Sequence, residues 1–429
     1  MTLVWFRLDL RLADNPALAA AAARGAVTPV FVWAPEEEGH WPPGAASRWW
    51  LQQSLRALDA SLRRRGSGLV LRRGPSLQAL RELIRETGAN AVFWNRRYEP
   101  ALRERDAAVQ QALIADGVRV ETFNSALLFE PWEIKTQTGG PFRVFTPFSR
   151  ACLRKTPVRR PSQTIPPLIS PRRRPRSVAL NLASRWDEAT ELHNTWQPGE
   201  TGAEQQLARF LRRAAGYETT RDRPDLEGTS RLSPHLHFGE ISPWAVWHAV
   251  KLEAFRRQLL WREFAHHLLW HFPAATEAPL RAEFARLHWR RDPSALRAWQ
   301  HGRTGFAMVD AGMRELWCTG WMHNRARMVT GSFLVKDLLA PWQEGARWFW
   351  ERLVDADLAN NTLGWQWIAG CGADAAPFFR IFNPTAQSEK FDPHGDYARR
   401  WIGERSAPIL NHDEARQQAL AAYRAARRR

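Results

Sequence analysis

The residues best suited to do chemistry lie in one tract near the C-terminus, 355–367, which reads DADLANNTLGWQW. It holds two aspartates, two asparagines and two tryptophans. Carboxylate and amide groups can hydrogen-bond a heterocycle, and indole rings can stack on it or pass electrons. A buried aspartate must be hydrogen-bonded or ion-paired, so Asp355 and Asp357 require partners. The alternative for each aspartate is a helix N-cap without any ligand.

A hydroxyl-rich segment, 228–242, reads GTSRLSPHLHFGEIS and precedes a predicted helix. Thr229, Ser230 and Ser233 place hydroxyl and main-chain N–H groups together, which is one way to hold a phosphate without a glycine loop. Tyr217 and Arg221 come shortly before it and are expected on the same side. An ordinary capping turn is the alternative interpretation of this segment.

A third segment, 258–273, reads QLLWREFAHHLLWHFP and places Gln258, Trp261 and Arg262 on roughly one helical face. An amide, a large ring and a guanidinium can bind a flat, phosphate-linked ligand such as a nucleic base. The spacing alone favours the alternative, a core tryptophan beside an exposed arginine. The adjacent His266 and His267 point apart, so no metal site is predicted.

A fourth segment, 320–339, brings Asn324, Arg327 and Met328 to one side of a helix. A buried arginine needs a carboxylate partner, and Asp355 is the candidate. Methionine more often fills a core than contacts a ligand, so Met328 by itself carries little information.

Alternating strands and helices are predicted in the first 125 residues. The strands are expected at 2–6, 27–33, 68–73, 91–95 and 118–123, and the helices at 17–24, 45–65, 76–87 and 101–116. This alternation predicts a parallel sheet with right-handed crossovers. Neither GxGxxG nor a Walker A motif follows the first strand, so a nucleotide would have to be held by other means.

Helical periodicity dominates after residue 196, notably at 241–271, 310–339 and 344–353. The segment 155–176 is rich in proline and arginine and is predicted to be extended and exposed. Its run Arg172–Arg173–Arg174 is expected to be solvated rather than bound to phosphate. The predicted domains are an α/β unit at 1–125, a linker at 126–195 and an all-helical unit at 196–429, which holds 15 of the 23 tryptophans.

The chain of 429 residues carries a net charge of +17, which favours a polyanionic partner, with nucleic acid as the leading candidate. The alternative is a proteome that favours arginine because its genome is rich in G and C. Three scattered cysteines argue against a disulfide framework or a cysteine-rich zinc site. No apolar run approaches the roughly 20 residues of a membrane span, and the N-terminus has no signal-peptide pattern, so a cytoplasmic location is predicted.

Together these segments resemble the cryptochrome/photolyase flavoprotein family, and most closely the bacterial class I photolyases of cyclobutane pyrimidine dimers. Further matching segments are LVWFRLDLRLADNPAL, YEPALRERD and FRVFTPF, and the resemblance continues over 217–401. It implies an N-terminal α/β domain with a five-stranded parallel, Rossmann-like sheet, followed by an all-α domain that binds FAD.

The resemblance also implies roles residue by residue. FAD would be bound by Tyr217, Thr229, Ser230, Arg231, Leu232, Ser233, Arg327, Asp355, Ala356, Asp357 and Asn361, with Asn361 facing flavin N5. Trp365, Trp342 and Trp289 match an electron-transfer triad leading from the flavin to the surface. Lesion or DNA contacts are implied for Arg221, Gln258, Trp261, Arg262, Asn324, Arg325, Met328, Trp367 and Gln387, with Trp261 and Trp367 flanking the lesion.

The implied activity is repair of pyrimidine dimers in DNA, driven by blue or near-UV light through electron transfer from reduced FAD. Gln258 departs from this pattern, since these photolyases usually have glutamate there, whereas (6-4) photolyases and animal cryptochromes have glutamine. The (6-4) enzymes usually have two adjacent histidines where this sequence has His323-Asn324, so dimer repair of reduced efficiency is favoured. A photoreceptor of the cryptochrome type is the third hypothesis, and the absence of a long extension after residue 401 argues against it.

An antenna chromophore is expected to be weakly bound or absent. Folate-binding relatives have Asn-Glu at Ala101-Leu102, and deazaflavin-binding relatives have aspartate near Ala34 and glycine near Leu102. Arg48, Arg103 and Arg105 suit either chromophore weakly, and Trp33, Trp49 and Trp50 are candidates to fill the cavity. We expect a monomer without membrane association or an obligatory protein partner.

Overall fold

Short runs of large apolar residues form a parallel sheet in the computed structural model, which describes residues 1–155, 159–162, 164–171, 175–182, 191–404 and 406–428. The five strands are β1 (Thr2–Phe6), β2 (Val27–Trp33), β3 (Val70–Arg73), β4 (Ala91–Asn95) and β5 (Arg119–Phe123), in the order β3-β2-β1-β4-β5. Every residue of β1, β2 and β4 is buried, as expected where helices cover both faces of a sheet. The predicted sheet is confirmed, although β3 and β5 begin slightly later than expected.

Four helices connect the strands: α1 (Pro16–Ala23), α2 (Ala45–Arg63), α3 (Ser76–Thr87) and α4 (Pro100–Ala115). Asn15 caps α1 by accepting the Leu18 N–H at 3.1 Å. At the carboxyl edge of the sheet, Arg7 pairs with Asp106 at 2.8 Å and donates to the main-chain oxygen of Asn95. These contacts tie the ends of β1 and β4 together, at the point where the strand order reverses.

The region between sheet and helical domain contains α5 (Phe145–Arg154) and the short α6 (Leu192–Thr195). The described part of 159–182 forms neither helix nor strand, and it is bound along the sheet: Val27 donates to the Ile169 carbonyl at 2.8 Å, and Val178 donates to that of Leu71 at 3.1 Å. The predicted triple-arginine run 172–174 lies outside the described residues.

Helices make up the regular secondary structure of the described part of 196–428. They are α7 (Glu200–Leu211), α8 (Tyr217–Thr220), α9 (Ser233–His237), α10 (Pro243–Ala249), α11 (Glu253–His271), α12 (Pro293–Gln300), α13 (Ala307–Thr319), α14 (Asn324–Ser332), α15 (Trp342–Arg352), α16 (Leu358–Ala369), α17 (Pro384–Phe391), α18 (Asp396–Trp401) and α19 (His412–Arg428).

Two of the predicted helical segments are interrupted. The segment 241–271 divides between α10 and α11, because Val250 and Leu252 have extended backbone angles. The segment 310–339 divides at Gly320, whose positive φ of 66° ends α13, and α14 then continues into a π-helical turn at Phe333–Asp337.

The hydroxyl-rich segment 228–242 also joins the two domains. Gly239 has a φ of +64°, and a Cβ there would lie 2.3 Å from the Leu8 carbonyl oxygen, so only glycine allows the chains to approach this closely. The next residue, Glu240, is buried and accepts hydrogen bonds from the Trp50 indole at 2.9 Å and the Gly199 N–H at 2.7 Å. The sheet domain is thereby held against the turn that lines the cavity described below.

No helix among the described residues is long and apolar enough to cross a bilayer. Within the same residues no group of three or more histidine, cysteine or acidic side chains is arranged to hold a metal ion.

Candidate functional site

A cavity of about 610 Å³ lies in the helical domain and collects most of the residues that the sequence pointed to. Its wall comes from the 229–233 turn, α11, α14, the loop after α15 and α16. The predicted residues that line it are Tyr217, Arg221, Thr229, Ser230, Arg231, Leu232, Ser233, Gln258, Trp261, Arg262, Asn324, Arg327, Met328, Asp355, Ala356, Asp357, Asn361, Trp365 and Trp367. Segments more than 100 residues apart therefore form one concave surface.

Asp355 and Arg327 form the predicted ion pair in the cavity wall. Arg327 Nη2 lies 3.0 Å and 2.9 Å from the two carboxylate oxygens of Asp355. The Asp355 side chain is only 4% exposed, so the ion pair with Arg327 compensates for the loss of water around the carboxylate. Arg327 Nε also donates to the Met322 carbonyl at 2.8 Å, which holds the guanidinium against α14.

Asp357 is both a helix cap and a charged member of the cavity wall. One carboxylate oxygen accepts the Asn360 N–H at 2.8 Å at the start of α16. The other lies 3.6 Å from a His237 nitrogen and 3.4 Å from a His266 nitrogen. Burial opposes ionisation of Asp357, but the two imidazoles lower the pKa of its carboxyl well below the usual range. Asp357 therefore remains an acceptor at neutral pH.

The turn at 229–233 contributes hydroxyl-bearing residues to another part of the cavity wall. Ser230 accepts the Leu232 N–H through its side chain and is held by Gln206, which donates to its carbonyl at 2.7 Å. Arg231 has a positive φ of 52°, and its guanidinium lies 4.7 Å from the Trp321 ring centroid. Tyr217 is buried beneath Arg221, and burial raises the pKa of its phenol. The hydroxyls of Thr229, Ser230 and Ser233 are available to a polar ligand group.

Two tryptophans and an amide define the third part of the wall. Trp261 and Trp367 both line the cavity, as does Gln258 one turn before Trp261. The Gln258 amide makes only a long 3.5 Å contact with the Ala254 carbonyl, so it can turn towards a ligand. Arg262 is instead held by the carbonyl of Ala126 at 2.7 Å.

Asn361 and Trp365 follow Asp357 on α16. Asn361 lines the cavity and donates to the Ala346 carbonyl at 3.0 Å. Trp365 is buried against Gly345, where a Cβ would lie 2.1 Å from its ring, so α15 needs glycine at that point. Trp342 is buried at the start of α15 and Trp289 is half-buried, both away from the cavity. The electron-transfer role of these three tryptophans stays a prediction.

Arg325 is not part of the cavity wall, and its implied lesion or DNA contact stays a prediction. It pairs with Asp222 at 3.0 Å and lies 4.0 Å from the Phe391 ring centroid. Being adjacent to Asn324 on α14, it points to a different side of the helix. Gln387 also lies outside the wall and is half-buried on α17, and its DNA contact stays a prediction.

Several wall residues were missed by the sequence reasoning, above all His237, Asn360, Trp321 and Phe349. His237 was inside a recognised segment, and its spacing from Ser233 was the available signal. The sequence alone shows His266 only as one of two adjacent histidines, whereas in the structure its Nε2 lies 3.4 Å from an Asp357 carboxylate oxygen. Burial lowers the pKa of His323 to about 4, and its Nδ1 caps α14 by accepting the Arg325 N–H.

The residues considered for an antenna are occupied with protein contacts. Arg105 pairs with Asp106 at 2.6 Å, Arg103 lies 3.5 Å from the Trp270 ring centroid, and Arg48 donates to the Pro43 carbonyl. The Trp49 and Trp50 indoles donate to His193 and Glu240. A weakly bound or absent antenna stays a prediction.

A five-stranded parallel sheet is thus followed by a helical region whose cavity is lined by hydroxyl, carboxylate, amide and indole groups. Residues 2–167 match the family described as DNA photolyase, and residues 255–407 match the FAD binding domain of DNA photolyase. The chain is 44% identical to the deoxyribodipyrimidine photo-lyase of Agrobacterium fabrum, over 99% of this chain and 98% of that protein. It is 40% identical to cryptochrome-1 of Arabidopsis thaliana, over 94% of this chain and 63% of that protein.

A solved structure of a bacterial class III photolyase from Agrobacterium tumefaciens is similar with a TM-score of 0.95 and 44% identity, covering 100% of this chain and 98% of that one. The chain belongs to the photolyase/cryptochrome family, and the prediction of an enzyme of the photolyase type is confirmed. FAD is its cofactor, in agreement with the wall residues: hydroxyls for phosphates in one part, and carboxylate and amide groups for a flavin and a ribose in another.

Proposed function

We propose that this protein repairs cyclobutane pyrimidine dimers in DNA with blue or near-UV light. The observation that carries the proposal is that one cavity wall contains Trp261, Trp367 and Gln258 together with Asn361 and Trp365 of the expected flavin side. Bases and flavin could therefore occupy one site. The net charge of +17 supports a polyanionic partner.

The chain's own residues would bind and orient the lesion. A pyrimidine dimer stacks and pairs poorly, so flipping it out of the duplex costs less than flipping an intact base. Trp261 and Trp367 would stack on the flipped bases, and Gln258 would donate an N–H to a base carbonyl. Bound FAD, when reduced and excited by light, supplies one-electron donor chemistry. Trp365, Trp342 and Trp289 would resupply electrons, and Asp355, Asp357 and Asn361 would hold and orient the cofactor.

Illumination of the reduced, FAD-loaded protein with DNA containing a defined lesion tests this function. One substrate carries a cyclobutane dimer and the other a (6-4) photoproduct, and restored pyrimidines are measured for both after matched photon doses. Restoration of the cyclobutane dimer alone is expected. Restoration of only the (6-4) photoproduct would contradict the proposal.

Two other functions have specific support. Gln258 is the residue expected of a (6-4) photolyase, whereas His323-Asn324 replaces the expected pair of histidines. The cryptochrome relative supports a light-signalling role, although this chain covers only 63% of that protein's length. Failure to restore either lesion despite bound FAD would favour the signalling role.

The class within the family is a separate question. The motifs favour class I, but the similarity to a class III photolyase at a TM-score of 0.95 weakens that assignment. We also infer a cytoplasmic monomer that needs no protein partner, with domains at 1–125 and 196–429 joined by 126–195. Size-exclusion chromatography with light scattering tests the oligomeric state.

Replacing Gln258 by glutamate is expected to raise the number of dimers split per absorbed photon. A carboxyl group can hydrogen-bond the dimer and deliver a proton, whereas an amide can donate a hydrogen bond but no proton. Repair yield is measured at saturating DNA, so that altered affinity does not enter the comparison. Gln387→Glu adds the same charge outside the cavity wall and is the control; an equal yield for Gln258→Glu and the wild type would show that this position does not limit repair.

A further inference from the structure

The segment FRVFTPF, residues 142–148, contributes to the family resemblance, but the resemblance implies no role for its residues. It packs against α11 through several separate contacts. The Phe142 N–H donates to His267 Nε2 at 3.0 Å, and the Phe148 ring lies 5.1 Å from those of Phe264 and His267. The remaining contact involves Phe145 and reaches the cavity wall.

Phe145 stacks face to face on Trp261. The ring centroids are 3.7 Å apart and the planes differ by 6°. Phe145 is only 1% exposed, whereas Trp261 is half-buried and lines the cavity. An indole has two large faces, and Phe145 covers one of them. A ligand in the cavity can therefore stack only on the other face.

Other groups restrict the position of this ring pair. Phe264 meets Trp261 edge-on at 5.8 Å and meets Phe145 edge-on at 6.0 Å. The guanidinium of Arg257 lies 5.3 Å from the Phe145 centroid. The Trp261 ring is thus held by one parallel and one perpendicular aromatic contact, which are both favourable arrangements.

The main chain of Phe145 is held from a distant part of the sequence. Val144, which precedes α5, provides no side-chain cap. The Phe145 N–H donates instead to Asp374 Oδ2 at 3.1 Å, from the loop that follows α16. The loop after α16, the start of α5 and α11 therefore meet at this one phenylalanine.

We propose that Phe145 is a positioning residue, which presents the free face of Trp261 to a flipped base. This role rests on the proposed function, because it concerns the ring assigned to the lesion. A merely structural phenylalanine would support folding without affecting how the protein distinguishes damaged from undamaged DNA. Phe148 offers the comparison, since it is 2% exposed on the same helix but contacts Phe142, Phe264 and His267 instead.

The test compares Phe145→Leu with Phe148→Leu in FAD-loaded protein. Dissociation constants are measured at one salt concentration for an oligonucleotide with a cyclobutane dimer and for its undamaged form. Phe145→Leu is expected to weaken binding of the damaged oligonucleotide between about 2-fold and about 12-fold, as for the loss of one aromatic pair, and to leave the undamaged one unchanged. Phe148→Leu is expected to change neither of the two dissociation constants. If Phe145→Leu fails to retain FAD, Phe145→Met replaces it.

A double-mutant cycle separates positioning from general stability. In a Trp261→Leu background, Phe145→Leu should not weaken the binding of damaged DNA any further, because the ring that Phe145 positions is gone. Equal losses in both backgrounds, or equal effects of the Phe145 and Phe148 variants, would overturn the proposal.

A readout without DNA distinguishes this inference from the proposed function. In protein labelled with 5-fluorotryptophan, the Trp261 fluorine resonance is assigned with Trp261→Phe. It should shift in Phe145→Leu and stay in place in Phe148→Leu. An unmoved resonance contradicts the positioning role. A shifted resonance in a protein that does not prefer damaged DNA would show that Phe145 positions the Trp261 ring, and would refute the proposed function.

Discussion

Replacing Arg327 by methionine is expected to lower both the free energy of unfolding and the amount of FAD that the protein retains. The change leaves the nearly buried Asp355 carboxylate without its ion-pair partner. Breaking a buried pair in this way typically costs about 3–5 kcal/mol, and we expect the lower end because the Arg327 side chain is 25% exposed. Methionine keeps the length of the apolar stem, so the loss reports on the charge. Urea unfolding of the apoprotein and the FAD-to-protein ratio after gel filtration are the measurements.

Arg399→Met is the matched control for this experiment. Arg399 pairs with Asp396 at 2.5 Å, but both side chains are more than half exposed. Surface pairs of this kind contribute about 0–1 kcal/mol, so little change is expected in unfolding and none in FAD content. If Arg327→Met behaves like the control, the Arg327–Asp355 pair supports neither the cavity nor the cofactor.

Replacing Trp367 by leucine is expected to weaken binding of dimer-containing DNA by roughly 5- to 150-fold. Stacking of a base on an aromatic side chain contributes about 1–3 kcal/mol, which corresponds to that range. Undamaged DNA should bind as before, because its affinity comes from phosphate contacts. Both dissociation constants are measured at one salt concentration with FAD-loaded protein.

Trp401→Leu provides the comparison for Trp367. Trp401 is also a half-buried tryptophan packed on the helical core, but it belongs to α18 and is not part of the cavity wall. We expect its loss to affect damaged and undamaged DNA equally. Equal weakening of both DNAs by Trp367→Leu would mean that this ring does not read the lesion.

The N-terminal fold was largely predictable from the sequence. Strands β1, β2 and β4 were located to the residue, because a buried parallel strand is a short apolar run between turn signals. The helical domain was less predictable in detail. The break between α10 and α11 falls inside the stretch 241–271, which was predicted as one helical segment, so the pattern alone did not show the break.

The candidate site shows the same division. Nineteen residues that were predicted from the ordered motifs line the cavity, and they include the Arg327–Asp355 pair. Arg325 lies outside the wall and pairs with Asp222, which its motif position alone did not show, because a motif does not state which way a side chain points. The contact of His266 with Asp357 was not predicted, because the two residues are far apart in the sequence.

The sequence by itself determined the family, the cofactor and the chemical character of the tract at 355–367, because these depend on residue types in a long fixed order. Only the tertiary structure decided which groups surround each of them. It set Asp357 between two imidazoles, pressed Trp365 against Gly345 and covered one face of Trp261 with Phe145. Local periodicity reports which face of a helix is buried, whereas the partner on that face is set by how distant helices pack.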